Sequence, residues 1–315
     1  MSPLSRFSGI QRSQIIGKLH YSIRSIMPYD LAIIFIFGFG LMVGSFFNVC
    51  IYRLPREGLS VVKPRSFCPQ CQNLIYWYDN IPVVSFLILR GRCRSCGATI
   101  SWRYPLVEIM TALLFAGAGY LIFKTTADFT SFRHCLKFII YIYLLGALII
   151  TTFIDFEFRI IPDEISLWGI VVGLVFSIIF PWWHPAAEGL TKIAALNGFI
   201  AALGGLGAGG GIIYLVRIIG KFVFKKEAMG LGDVKLMVFL GTFLGWRDII
   251  WVFLLGCIFG SVFGIISWLI TKDRYIAFGP FLALGAVAMM FFKEEIYYFI
   301  YNTYPNIMKD ILLIQ

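Results

Sequence analysis

Charge is scarce in this chain. Only 14% of the 315 residues are Asp, Glu, Lys or Arg, against 59% hydrophobic residues and a mean hydropathy of +0.83. That poverty of charge excludes an ordinary soluble globular domain, in which about a quarter of residues are charged. No repeat of fixed period and no low-complexity tract is visible, and the only sizeable polar region is Tyr52 to Tyr104. No small-residue cleavage site follows the first apolar run, itself too long for a signal-peptide core, so no cleavable signal peptide is expected. The glycines from Gly204 to Gly211 follow no strand and open no βαβ unit, which excludes a dinucleotide fingerprint.

What is present is a series of apolar runs: Leu31 to Ile51, Pro105 to Phe123, Phe138 to Ile154, Ile165 to Trp183, Leu196 to Val216, Val234 to Trp246, Ile249 to Ile270 and Ile276 to Phe292. They predict an all-α polytopic membrane protein of about eight transmembrane helices. The sixth run is shorter than the roughly 20 residues a crossing needs and draws on its flanks. The organisation expected is an N-terminal extension over 1–30, a first span over 31–51, a small cytoplasmic domain over 52–104, a membrane bundle over 105–292 and a tail over 293–315. In the extension, Ile16, Leu19, Ile23 and Ile26 recur at helical spacing among basic residues. This fits either an amphipathic helix lying on lipid or a flexible basic tail.

Net charge is +10. Its distribution between loops explains it better than nucleic acid does. Placing 52–104 in the cytoplasm collects Arg53, Arg56, Lys63, Arg65, Arg90, Arg92, Arg94, Arg103, Arg159, Arg217, Lys221, Lys225, Lys226, Lys235, Lys272 and Arg274 on that side, as the positive-inside rule favours. Span five carries Gly198, Gly204, Gly205, Gly207, Gly209, Gly210 and Gly211. These suit close helix contacts or local unwinding.

Four of the seven cysteines form Cys68-Pro-Gln-Cys71 and Cys93-Arg-Ser-Cys96, close to the spacing of a four-cysteine zinc site. A domain this small needs a staple. Four thiolates complete a tetrahedron, so the metal is expected to be structural; two disulfides or free thiols are the alternative. Cys50, Cys135 and Cys257 lie in or near apolar runs and read as packing residues.

Two acids carry the chemistry. Asp155 ends span three, where an acid opposes the helix dipole, whereas Asp163, beside Pro162 at the start of span four, complements it and reads as a capping residue. Asp233 closes Met229-Gly230-Leu-Gly232-Asp233, whose glycines leave room for a substrate strand. In the orientation set by the basic loops, Asp155 and Asp233 both fall at the cytoplasmic ends of their spans. If the bundle joins them, they can share a proton and so hold an acid and a base together. Glu157, Asp163, Glu164 and Glu227 either steer a basic substrate segment or are solvated loop charges. A transporter binding ions or protons at the two acids, and a zinc-dependent membrane scaffold, are the competing classes.

The ordered landmarks Gly44-Ser-Phe-Phe-Asn48-Val-Cys-Ile-Tyr-Arg53-Leu-Pro55, the two cysteine knuckles, Tyr78-Asp79-Asn80-Ile81-Pro82, Ile100-Ser-Trp-Arg103-Tyr-Pro105-Leu-Val-Glu108, Ile154-Asp155 with Ile161-Pro162-Asp163, and Glu227-Ala-Met-Gly230-Leu-Gly232-Asp233-Val-Lys235-Leu236 closely resemble the bacterial type IV prepilin peptidases. These are aspartic proteases of the GxGD type, also called leader peptidase/N-methyltransferases. The resemblance runs from about Gly44 to Gly245. It implies that Asp155 and Asp233 are catalytic, with Gly230, Gly232, Lys235, Pro162 and Asp163 as supporting motif residues and no cofactor for proteolysis. It implies removal of a short basic leader from type IV prepilins and type II secretion pseudopilins at the cytoplasmic face of the inner membrane. It further implies methylation of the new N-terminus with S-adenosylmethionine, for which the residues carry no fingerprint. Glu108 is a candidate participant there, or simply a first-turn helix acid. The extension before span one is longer than is usual in that family.

Overall fold

The computed structural model describes residues 4–56, 58–184, 189–225, 229–271 and 277–306. Side chains before residue 29 lie outside the described residues, and with them the amphipathic face expected there; Glu227, Lys226, Lys272 and Arg274 lie outside as well. Helices make up most of the described residues, and no strand occurs among them. In hydrocarbon every backbone amide and carbonyl needs an internal partner, which a helix supplies within itself. The long helices are α1 (Leu4–Arg53), α3 (Arg103–Ile122), α4 (Phe132–Phe158), α5 (Asp163–Ile179), α6 (Ala194–Phe224), α7 (Leu231–Thr271) and α8 (Gly279–Tyr298), with a short α2 (Val84–Ile88) between α1 and α3. Five stretches of α1, α3, α4, α6 and α7 are long and apolar enough to cross a membrane. Helices outrun the apolar runs at several ends. α6 continues through Arg217 and Lys221, and Lys221 lies in its last turn, where a base suits the helix dipole.

α7 is two helices. A straight helix would separate Met237 from Ile249 by about 18 Å. Yet both border Gly209 on α6, where an added Cβ would meet the Met237 carbonyl carbon at 2.9 Å and Ile249 Cγ1 at 3.2 Å. The chain doubles back at Gly245, whose φ of 80° and ψ of 170° only glycine adopts freely. The short sixth run and the seventh are the two arms of this hairpin.

Two compact units form, Met1–Asn48 with Pro64–Leu145, and Val49–Lys63 with Gly146–Gln315. In the first, α1 and α3 run antiparallel in close contact. Cβ atoms at Gly40 and Gly44 would lie 2.6 Å and 2.7 Å from the Ala112 and Glu108 Cα atoms. Asn48 Nδ2 donates to the Tyr104 carbonyl at 3.0 Å. The polar part of this unit repeats one turn twice. Cys68 N–H bonds Asn73 O and Gln72 N–H bonds Cys68 O, while Cys93 N–H bonds Ala98 O and Gly97 N–H bonds Cys93 O, each at 2.8 to 2.9 Å. Gln72 and Gly97 take the same left-handed conformation, φ 61° and 71°. Arg94 grips Asp79 through two bonds of 2.7 and 2.8 Å, and its guanidinium holds the Asp79 carboxyl below the usual carboxylate range.

In the second unit α6 meets α7 along a seam where backbone touches backbone. A Cβ at Gly205 would overlap the Gly241 carbonyl, and one at Gly241 would overlap the Gly205 carbonyl. α5 joins through Gly169 against Phe239 and Gly173 against Thr242, and α8 meets the second arm of α7 through Gly285 against Val252 and Gly256 against Leu282. Helix association in lipid gains little from apolar burial, so such close approach supplies the attraction instead. Phe239, Phe243, Leu236 and Met237 fill the interior, while Phe222, Leu269 and Ile270 stand exposed as lipid-facing residues do.

The seam makes a sharp prediction. Gly205→Ala is expected to destabilise the folded protein in detergent by about 1–3 kcal/mol, read as a lowered thermal midpoint. Gly207→Ala, with nothing within 4 Å of its Cβ, is expected to leave the midpoint unchanged; equal effects of the two would refute the seam.

Candidate active site

Asp155 stands one turn before the end of α4. The helix stops at Phe158, and Arg159 takes φ 56° while its N–H closes on the Asp155 carbonyl at 2.9 Å, a left-handed residue ending the helix in the usual way. A short link then leads through Ile161 and Pro162 into α5. Pro162 cannot donate a backbone bond, and its carbonyl accepts from the buried Ser166 hydroxyl at 3.1 Å. Asp163 and Glu164 occupy the first turn of α5. Asp163 Oδ1 meets Lys235 Nζ at 2.6 Å, an exposed ion pair joining the start of α5 to the first turns of α7.

Asp233 is the third residue of α7. Its Oδ2 accepts the Gly230 N–H at 3.2 Å, so the acid reaches back to cap the helix it opens. Gly230 and Gly232 both serve this turn. The Cβ that Gly232 lacks would lie 3.2 Å from Ile161 Cβ, and the one Gly279 lacks would lie 3.4 Å from Ile161 Cδ1 and 2.6 Å from Asp155 Oδ2. Ile161 is therefore the shared neighbour. The start of α7 and the start of α8 close on it from two sides, and Asp155 flanks α8.

Both acids are buried, Asp155 at 7% and Asp233 at 9% exposure, and each lies within electrostatic reach of the other. Neither forms an ion pair among the described residues. Asp155 Oδ2 is shut off from solvent without a hydrogen-bond partner. Two carboxylates so placed hold one proton between them more easily than two charges. Glu157, Asp163 and Glu164 are exposed.

Other residues singled out from the sequence lie in the first unit. Glu108 is buried at 7% exposure, and its Oε2 accepts the Val83 N–H at 2.7 Å. It lies beyond the first turn of α3, so the reading of Glu108 as a first-turn acid is corrected: Arg103 opens the helix two residues before Pro105. Its carboxylate secures a tight turn in which Val83 has φ 60° and Val84 N–H bonds Pro82 O at 2.5 Å. A β-branched residue held there is strained. The sulfur atoms of Cys68, Cys71, Cys93 and Cys96 all lie within 4.8 Å of one another, with Cys68 and Cys96 at 4.0 Å. Tetrahedral zinc at about 2.3 Å from each sulfur separates the sulfurs by about 3.8 Å, so the set fits. Backbone N–H groups of Cys96 and Ser95 aimed at the Cys93 sulfur pull its thiol down to about 7, toward the thiolate a metal needs.

Sequence reasoning missed that the starts of α7 and α8 both pack on Ile161, and it missed Gly279 altogether. The available signal was Phe278-Gly279-Pro280 opening the last span, a glycine where a helix begins against an acid.

Comparison with known proteins agrees with this division. Residues 38–122 match the Bacterial Peptidase A24 N-terminal domain, and residues 142–265 match the Type IV leader peptidase family. Similar relatives are prepilin leader peptidase/N-methyltransferases. One from Klebsiella pneumoniae is 38% identical over 68% of this chain and 85% of its own length. One from Aeromonas salmonicida is 33% identical over 81% and 89%. One from Myxococcus xanthus is 37% identical over 76% of this chain, which spans 64% of that relative's length. No solved structure matches the chain significantly. These names give no support to the transporter reading of the acids or to a scaffold without catalysis. The matched segments contain the knuckles on one hand and both acids on the other, and the chain belongs to the type IV leader peptidase family.

Proposed function

We propose that this chain is a multi-pass aspartic endopeptidase of the bacterial inner membrane that removes the short basic leader from type IV prepilins and type II secretion pseudopilins. Cleavage falls at the cytoplasmic face, the side to which the basic loops assign the start of α7 and the end of α4. The observation supporting this reading is the pair of buried acids, Asp155 and Asp233, within electrostatic reach of each other on helices far apart in sequence.

The ionised member of the pair takes a proton from water as the water oxygen attacks the scissile carbonyl carbon. The protonated member gives its proton to the carbonyl oxygen. The adduct then collapses as its carbon–nitrogen bond breaks, and a carboxylic acid returns a proton to the leaving amine. Lys235 and Asp163 hold the first turn of α7 to the start of α5 while this happens. The exposed acids beside the site attract the basic leader as a modest, salt-screened contribution.

The relatives' shared name supports a second step, N-methylation of the new N-terminal amine, for which S-adenosylmethionine supplies an electrophilic methyl group. Glu108 does not fit as its free ligand, because its carboxylate already holds Val83 and receives the Ser45 hydroxyl. We assign Glu108 to that loop and derive no step through the donor. The four cysteines hold a structural zinc, with no open coordination position for chemistry.

Two outcomes are expected. Asp155→Asn and Asp233→Asn should each lower leader cleavage by about 10²-fold or more while the protein still inserts, read by the product mass from a model prepilin incubated with membranes; normal processing by either variant refutes the reading. Elemental analysis of protein purified without chelator should return about one zinc per chain, lost in Cys68→Ser and Cys93→Ser; metal-free wild-type protein would end the zinc assignment.

A further inference from the structure

The first turn of α8 has no part in the mechanism so far, yet it reaches one of the acids. α8 is 20 residues long and opens on Gly279-Pro280. Its early amides have no partner within the helix, and proline is suited to this position because it has none to lose. The Gly279 amide faces the Asp155 carboxylate. Asp155 is more than nine-tenths buried, and no side chain hydrogen-bonds its Oδ2. A Cβ on residue 279 would stand 2.6 Å from this oxygen and 3.3 Å from Cγ.

The reason for glycine here is volume. Unlike Gly245, Gly279 does not have the positive φ that disfavours other residues. An alanine fits the backbone and collides only with what lies in front of it, which is the Asp155 carboxylate and the tip of Ile161. Elsewhere on the same helix the glycines meet packing atoms, as Gly285 meets the Val252 carbonyl. Gly279 alone among the described glycines of α8 faces an acid of the pair. The two acids thus each face a helix start, Asp233 that of its own α7 and Asp155 that of α8.

We propose that Gly279 is a positioning residue for leader cleavage: it acts through Asp155, letting the carboxylate lie against the start of α8 where any side chain at 279 would displace it. This rests on the assignment of Asp155 to the catalytic pair.

The test uses the full-length chain in detergent with a model prepilin. Gly279→Ala should lower kcat by about 10- to 100-fold, the scale of a misplaced catalytic group, while KM changes less than about twofold and one limb of the pH profile of kcat moves. Gly285→Ala should lower the thermal midpoint and leave the pH profile in place. A Gly279→Ala enzyme with wild-type kcat and profile overturns the proposal. So does one that merely behaves like Gly285→Ala. If Gly279→Ala is too unstable to assay, stability decides. Combining it with Asp155→Ala should restore the midpoint to that of Asp155→Ala alone, because the colliding carboxylate is gone, and failure to restore it is equally fatal. Asp155→Asn run in parallel separates the two readings. An active Asp155→Asn enzyme removes the catalytic pair and this proposal with it, whereas an inactive one beside a normal Gly279→Ala enzyme removes only this proposal.

Discussion

The hydrocarbon offers no water, and most of this structure answers that single constraint. A backbone that cannot be hydrated must bond to itself, so every long element among the described residues is a helix. Helices that gain little from burying apolar side chains against one another need another source of attraction, and here it is the approach of bare backbone at Gly205 and Gly241, at Gly40 and Gly44, and at Gly285. Charge is admitted only with a specific reason. Asp248, at the start of the second arm of α7, is held by Lys293 and Tyr297 at 2.6 and 2.7 Å. Asp155 and Asp233, as buried as Asp248, form no ion pair among the described residues, and this is what distinguishes them.

Their arrangement converts helix ends into working parts. Asp233 caps the helix that carries it, while Asp155 terminates one helix and faces the beginning of another. Ile161, against which the starts of α7 and α8 both pack, belongs to neither helix and comes from the link after α4. Glycine at 232 and 279 lets both helix starts reach Ile161, and each acid is buried nearby without an ion pair among the described residues. Chemistry that needs one proton shared by two groups is served by this kind of isolation.

Much of this was legible in the sequence. The apolar runs located each long helix, because the need for an apolar crossing leaves its mark residue by residue. The Cys68, Cys71, Cys93 and Cys96 spacing located a metal-sized cluster, because knuckle geometry is local. The pattern could not show that Asp155 and Asp233 come within reach of one another, because that depends on how helices far apart in sequence associate, and it could not show what Glu108 does, since its partner Val83 lies in a loop whose strained turn has no signature in Ile81-Pro82-Val83. Gly279 escaped for a related reason. A glycine required for the volume in front of it reads the same, in one dimension, as a glycine required for packing.

The seam between α6 and α7 also bears on how such a chain can change over generations. Where a carbonyl already occupies the place of a first side-chain carbon, the smallest replacement meets the largest obstacle, and no graded series of residues leads away from glycine. Neighbours such as Gly207 and Gly211, with open space beside them, are free to drift. Two glycines a few residues apart on one helix thus have opposite evolutionary freedom, set by which side of the helix they occupy.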